Sequence, residues 1–547
     1  MTFVLQHLVV LPVLVPLLAG AAMLFLAESR RVARASLALA SMLIQLAVAL
    51  GLLYLTSDAA PFIWSEGVGV YSIGNWPAPF GIVLVVDRLS AVMVTLCAIV
   101  SLSTLVYSIA RWDIPGQPFH SLLQFLAMGL NGAFLTGDLF NLFVFFEVSL
   151  AASYGLLLRG AGAARVKAGL HYLAVNLAAS LLFLIGVAMM YGVAGTLNMA
   201  DLSIRAAALS PADRTLFDAG AAILGIAFLT KAGSWPLNLW LPGAYSAAVA
   251  PAAAAFAMMT KLGLYAVLRL GTLLHEDKTL GVALFYLGLA TLGSATIGML
   301  AAKHLARQVG YSVLVSMGIL LAALGLRMES LTGPVLYYMI VSVLTTTTFF
   351  MLTGMTERTR NIKAATPATH AESPPPRHLA YGIKEPSAYD TRDDAGVAIP
   401  AAMAFLGLVF VCCALLVIGL PPLPGFIAKF ALLSEALAQT PTTAVPASLW
   451  VLCGAVLLSG VAGIIAFSRI GMRLFWSVTA RTTPRLRVVE AAPVAALVIL
   501  CLALGIAAEP VARYLDAAGR SLHAPDIYVR VVLSQRDGQR PAGASPP

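Results

Sequence analysis

Residues 222–269 read AILGIAFLTKAGSWPLNLWLPGAYSAAVAPAAAAFAMMTKLGLYAVLR. Almost every residue is apolar or small, yet Lys231 and Lys261 lie inside runs long enough to be membrane helices. Gly233, Pro236, Pro242 and Gly243 follow the first lysine at once. A charged side chain at the centre of a membrane helix costs about 3 kcal/mol or more. A broken helix is tolerated at that depth only where it packs in protein or lines a watery cavity. The combination predicts a charge-translocating site rather than a plain lipid-facing span.

The rest of the composition sets the class. Of 547 residues, 60% are hydrophobic and 11% charged, and mean hydropathy is +0.89. A soluble domain averages about 25% charged residues. The chain therefore reads as an all-α polytopic membrane protein. A membrane β-barrel is excluded because the apolar runs are continuous rather than alternating. The net charge of +9 is not read as a nucleic-acid signature, because the basic residues fall in short loops where they set membrane orientation. The five cysteines, Cys97, Cys412, Cys413, Cys453 and Cys501, sit in apolar runs without CxxC spacing, which argues against a haem or iron–sulfur site. No HExxH, Walker A or GxGxxG motif is present, so no cofactor, metal or soluble-enzyme chemistry is implied. The N-terminus, MTFVLQHLVVLPVLVPLLAG, has no positive leading region and reads as a retained first helix.

At about 20 apolar residues per crossing, the sequence predicts fourteen helices, of which the seventh and twelfth are interrupted. Placing the N-terminus outside puts most of the 34 Lys and Arg into cytoplasmic loops, with both termini outside. The expected organisation is 1–118 for helices one to three and 119–270 for a first five-helix unit. A second unit spans 279–472, with a flexible cytoplasmic insert at 356–396. Helix fourteen and a poorly ordered tail occupy 473–547. The insert contains SPPP and has no apolar period, which suits a linker. TKAGSWPLNLWLPG in helix seven and GLPPLPGFIAKF in helix twelve each join a lysine to a Pro/Gly break. They stand five helices apart, as two inverted repeats require.

Four charged residues fall at membrane depth. Glu147 lies nine residues beyond Asp138, a helix N-cap candidate, and so about 14 Å into the bilayer. It is either a charge-handling group or a structural carboxylate bonded to a neighbouring helix. Lys231 is placed to pair with it; a movable carboxylate would switch the lysine between holding and releasing a proton, whereas a fixed one would make a static ion pair. Lys261, mid-helix, and Lys429, after the PPLPG break, are read the same way, against snorkelling for Lys261 and an interfacial position for Lys429. Supporting positions are Asp138, His171, Ser234, Lys303, His304 and Thr346. For His171, Lys303 and His304 the competing reading is a solvated helix end. Asp87 and Arg88 open helix three, where a capping role suffices. Ser149, Asn176, Ser180, Ser234, Ser312 and Ser316 are either water-wire groups or helix-packing hydroxyls.

GDLFNLFVFFEVSLAASYGLL, YLAVNLAASLLFLIGVAMMYGVAGTLNMADL, KAGSWPLNLWLPGAYSAA with TKLGLYAVLRL, and PPLPGFIAKF resemble the D subunits of the Mrp/Pha-type multisubunit monovalent cation/proton antiporters. The wider superfamily includes the antiporter-like subunits of respiratory complex I and of membrane hydrogenases. The resemblance runs from helix three to helix thirteen. It implies two inverted five-helix bundles and a polar axis carrying protons, with Glu147, Lys231, Lys261 and Lys429 at the family's positions. It also implies a hetero-oligomeric complex in a bacterial cytoplasmic membrane that exchanges protons for Na⁺ or K⁺, with no catalytic chemistry of its own. Helix eleven departs from the pattern. The family carries histidine and lysine there, whereas YYMIVSVLTTTTFFMLTG offers Val341, Ser342 and Thr346. Either water held by Thr345 to Thr348 substitutes, or the second half conducts poorly. The alternatives of another class are a proton-pumping subunit of a redox complex and a non-conducting scaffold.

Overall fold

The computed structural model describes residues 7–27, 29–60, 64–112, 118–160, 162–274, 278–365, 401–438, 447–476 and 486–534. Helices α1 (Leu11–Phe25) and α2 (Arg31–Leu55) precede an antiparallel hairpin of β1 (Gly69–Ser72) and β2 (Val83–Val86). Gly69 pairs with Val86 and Ser72 with Val83. Then follow α3 (Arg88–Ile109), α4 (Phe119–Leu135), α5 (Leu139–Leu157), α6 (Ala163–Ala194), the short amphipathic α7 (Met199–Ala207), α8 (Pro211–Ala232), α9 (Trp240–Ala247) and α10 (Ala250–Leu274). The second half runs α11 (Lys278–Ala301), α12 (Leu305–Gly325), α13 (Thr332–Ala365), α14 (Ala401–Ile418), α15 (Pro424–Ala438), α16 (Ala447–Gly471), α17 (Val488–Ile506), α18 (Ala508–His523) and α19 (Pro525–Ser534).

Twelve helices among the described residues are long and apolar enough to cross a membrane, and α1 and α4 are shorter apolar helices. The protein is thus the nearly all-helical membrane protein that the apolar runs predict, with about fourteen crossings. Helix starts follow local chemistry. The Asp87 carboxylate accepts from Ser90 N while the Ser90 hydroxyl accepts from Asp87 N, a reciprocal capping box that begins α3. Asp138 caps α5 by accepting from Asn141 N at 2.9 Å. Ser210 caps α8, with Pro211 as its first residue, where a missing N–H costs nothing.

Both predicted breaks are present. Helix α8 stops at Gly233, whose φ of 77° is a left-handed conformation that favours glycine; the chain resumes as α9 at Trp240. Helix α14 stops before Gly419, φ 82°, and resumes as α15 at Pro424. The elements around the breaks pack in parallel sets. Helix α4 lies on α5 and α10, as α11 lies on α12 and α16. The first broken helix packs on α6 and α10, the second on α13 and α16. Helices α10 and α13 contact each other and join the two sets. Their membrane windows are 94% buried, so this junction is the core of the molecule.

Two boundaries differ from the sequence reading. Helix three is expected from 81, but β2 occupies Val83–Val86 and the cap at Asp87 defers the helix to Arg88. Helix fourteen is expected to run to 513, with a poorly ordered tail beyond it. Instead α17 ends at Ile506, and two amphipathic helices, α18 and α19, fold back to Ser534, burying Leu515, Leu522, Tyr528 and Val532. Of the proposed insert, 356–365 continues α13; 366–396, and the tail from 535, lie outside the described residues.

Candidate proton-transfer site

Lys231 sits in the last turn of α8, two residues before the break. Its ammonium lies 3.6 Å from Glu147 Oε1 on α5, 3.1 Å from Ser180 Oγ on α6 and 5.1 Å from the centre of the Phe146 ring. The Ser180 hydroxyl donates to Glu147 Oε1. Three helices therefore converge on one polar cluster within an apolar bundle. Side-chain exposure is 5% for Lys231 and 28% for Glu147, which places the lysine inside and the carboxylate nearer the outer wall. A cavity of about 20 Å³ adjoins Lys231, lined among others by Ser149, Tyr172, Asn176 and Trp240. Its size suits one water molecule.

The break beside Lys231 is stitched to the second half of the chain. Trp235 N donates to Thr291 Oγ1 at 2.8 Å, and Asn238 Nδ2 donates to Ser294 Oγ at 3.1 Å, both acceptors being on α11. The first of these bonds satisfies a backbone N–H that an unbroken helix would have paired internally. Ser234, named from the sequence, lies here, its hydroxyl 3.4 Å from Thr291 Oγ1.

Lys261, on α10, is 2% exposed. It donates to Ser316 Oγ at 2.9 Å and lies 3.2 Å from Met317 Sδ, both on α12. Helix α10 comes close to α8 two residues later: a Cβ at Gly263 would meet Phe228 O at 2.7 Å and Ala232 N at 2.8 Å. Tight packing of this kind brings the two lysine-bearing helices side by side.

Lys429, on α15, is 7% exposed. It donates to the last carbonyls of α14, Val417 O at 3.0 Å and Ile418 O at 2.9 Å. Its stem passes over Gly419, where a Cβ would come within 2.8 Å of Lys429 Cδ. Among the described residues, no carboxylate pairs with Lys261 or Lys429. Glu435 instead lines a wide cleft of about 960 Å³ with Glu329, Glu509, Asp516 and Arg520. Burial and the nearby Glu435, opposed by Arg520, raise the Asp516 carboxyl above the ordinary range. Lys429 is not among the lining residues of that cleft.

The remaining sequence candidates are not drawn into the cluster. Asp138 is a helix cap. His171, Lys303 and His304 are exposed. The hydroxyls of Thr345, Thr346 and Thr348 each donate to the carbonyl four residues back on α13, and Thr347 donates to Ala254 O on α10. Each hydroxyl proton is thus bonded within the protein, as in helix-packing hydroxyls.

Two ion pairs go beyond the sequence reading. Asp87 and Arg269 form a bidentate pair, at 2.5 Å and 2.8 Å. Arg269 also lies over the rings of Tyr265 and Tyr528. Of the four hydrogen bonds that the Asp87 carboxylate accepts, Ser90 supplies two and Arg269 two. The sequence does carry a signal: VLVVD and LYAVLR end apolar stretches with opposite charges. Likewise Arg111 lies 3.1 Å from Glu490, whose side chain is fully buried.

Residues 136–370 match the family described as NADH:quinone oxidoreductase/Mrp antiporter, TM. The chain is 48% identical over 543 residues to the D subunit of a probable K⁺/H⁺ antiporter of Rhizobium meliloti, covering 98% of this chain and 99% of that one. It is 31% identical over 539 residues to the D subunit of the Na⁺/H⁺ antiporter of Bacillus subtilis, covering 97% and 100%. Among solved structures, it is similar to a chain of the Mrp complex from Dietzia sp. (TM-score 0.80, 22% identity, 97% and 99% covered). It is also similar to a chain of respiratory complex I from Thermus thermophilus (TM-score 0.72, 20% identity, 97% and 99% covered).

Proposed function

This chain belongs to the D-subunit family of multisubunit monovalent cation/proton antiporters, and on that premise we propose that it moves protons through the Glu147–Lys231 pair and onward by Lys261 and Lys429. The observation that carries this reading is the pair itself. A lysine and a carboxylate meet 3.6 Å apart beside a helix break, among apolar helices. In such surroundings a carboxylate close to the lysine favours the ammonium, and desolvation favours the neutral amine. A small change in the charge or position of Glu147 therefore decides whether Lys231 holds its proton. Lys261 and Lys429, bonded to neutral oxygens, take up or pass on that proton with no carboxylate beside them among the described residues. Asp138, Lys303 and His304 serve the ends of helices and His171 lies exposed along α6, apart from the transfer itself.

In this reading the chain works inside a hetero-oligomer in a bacterial cytoplasmic membrane, with both termini outside and protons exchanged for K⁺ or Na⁺. It is a transporter subunit and not an enzyme. The two parallel packing sets are read as inverted repeats, 119–270 and 279–472, with N-terminal helices at 1–118 and helix fourteen with the tail at 473–547. The test uses the whole complex in vesicles loaded with a pH-sensitive dye. K⁺ and Na⁺ are added separately to wild type and to Lys231→Ala. Cation-dependent dequenching that vanishes in the variant supports the proposal; unchanged dequenching by an assembled variant contradicts it.

A further inference from the structure

We infer that Ser180 is a proton-relay residue between Lys231 and Glu147, and that its hydroxyl opens and closes the path between them. The inference rests on the proposed role of that pair. The two charged groups do not meet at hydrogen-bond distance: Lys231 Nζ is 3.6 Å from Glu147 Oε1, outside the usual range for a direct N–H···O bond. The route through the serine is shorter at each step. Lys231 donates to Ser180 Oγ at 3.1 Å, and Ser180 Oγ donates to Glu147 Oε1. A lysine ammonium offers only donors, a carboxylate only acceptors, and a hydroxyl both. Ser180 is thus the type of group that can join them, and only 5% of it is exposed.

The hydroxyl also lies 2.9 Å from the carbonyl of Asn176, one turn back on α6. One O–H proton therefore has two acceptors. Turned to Glu147, it completes the chain Lys231 Nζ–H···Oγ–H···Oε1. The lysine proton then bonds to Ser180 Oγ while the serine proton bonds to Glu147 Oε1. Two bonds to hydrogen break and two form, leaving a neutral amine, a neutral serine and a carboxylic acid. The reverse step restores the ion pair. Turned to Asn176 O, the hydroxyl makes an ordinary local helix bond, and the chain is interrupted. A protonated Glu147 is a weaker acceptor than the carboxylate, so proton arrival itself releases the serine toward Asn176 O and interrupts the path.

The experiment compares Ser180→Ala, Ser180→Cys and Ser180→Thr with Lys231→Ala and Glu147→Gln, each in the assembled full complex in vesicles. Exchange rates are measured in H₂O and in D₂O. Removing the hydroxyl should slow exchange by about tenfold or more, less than the hundredfold or more that a positioned proton donor or acceptor commonly contributes. Cys keeps the shape but donates weakly and should also be slow. Thr keeps the hydroxyl and should stay near wild type. The solvent isotope effect of wild type should exceed that of Ser180→Ala, because two protons move together only when the serine is present. Ser180→Ala at wild-type rate, with Lys231→Ala inactive, overturns the relay and leaves the pair standing. Ser180→Thr as slow as Ser180→Ala also overturns it, by placing the loss on packing. Wild-type rates in both Lys231→Ala and Glu147→Gln would instead overturn the reading of the pair.

Discussion

The two broken helices use the same device in different company. At the first, Lys231 ends α8 and faces a carboxylate across a serine. At the second, Lys429 lies in the second turn of α15 and reaches back to Val417 O and Ile418 O, the C-terminal carbonyls of α14. A carboxylate can gain or lose a proton and a full charge. A backbone carbonyl offers a fixed partial charge, the negative end of a helix dipole. The first break is therefore suited to switching a lysine, and the second to holding one. A lysine beside a Pro/Gly break is a shared frame, and the partner decides the work it does.

The comparison breaks most readily at Lys231. Lys231→Ala should lower exchange by about a hundredfold or more, given what a positioned proton donor commonly contributes, while complex assembly persists. Rates are compared at equal amounts of assembled complex, and normal exchange would erase the distinction between the two lysines.

Lys429 separates holding from switching. Lys429→Ala leaves two buried carbonyls without their donor, at about 1–3 kcal/mol each, and should weaken both assembly and exchange. Lys429→Gln keeps a neutral donor and should recover assembly more than exchange. The check is thermal unfolding of the complex beside its exchange rate. Equal recovery of both would mean that the second lysine is a structural clamp alone.

The smallest effect is expected at α13. The Thr346 hydroxyl is already spent on Ser342 O, so Thr346→Val should change exchange by less than about twofold, since a bond of this local kind contributes little net energy. A loss comparable with that of Lys429→Gln would show that the threonines carry protons between Lys261 and Lys429 after all.

Much of this is legible in the chain. The continuous apolar runs, the Pro/Gly clusters and the four charged residues set the helix count, both breaks and the residues facing inward, because burying charge in lipid leaves few solutions. What is not legible depends on how distant helices turn toward one another. Ser180 meets Glu147 and Lys231 only through the mutual rotation of α5, α6 and α8. Asp87 and Arg269 are 182 residues apart. The tail is a different case. Leu515, Ala518 and Leu522 are buried, and their spacing of three and four marks one helix face. That period is present in the sequence, but the charged residues around it conceal it.

The central claim is that the charge of Glu147, and not merely its shape, governs Lys231. The measurement is exchange rate against pH for wild type, Glu147→Gln and Glu147→Asp at equal expression in vesicles. Each tenfold change in proton affinity is about 1.4 kcal/mol. Removing the charge should therefore slow exchange by about tenfold or more, and Glu147→Asp, which keeps the charge one methylene further back, should retain part of the rate. If Glu147→Gln follows wild type across the whole pH range, the carboxylate is structural and the switching account of the first break is wrong.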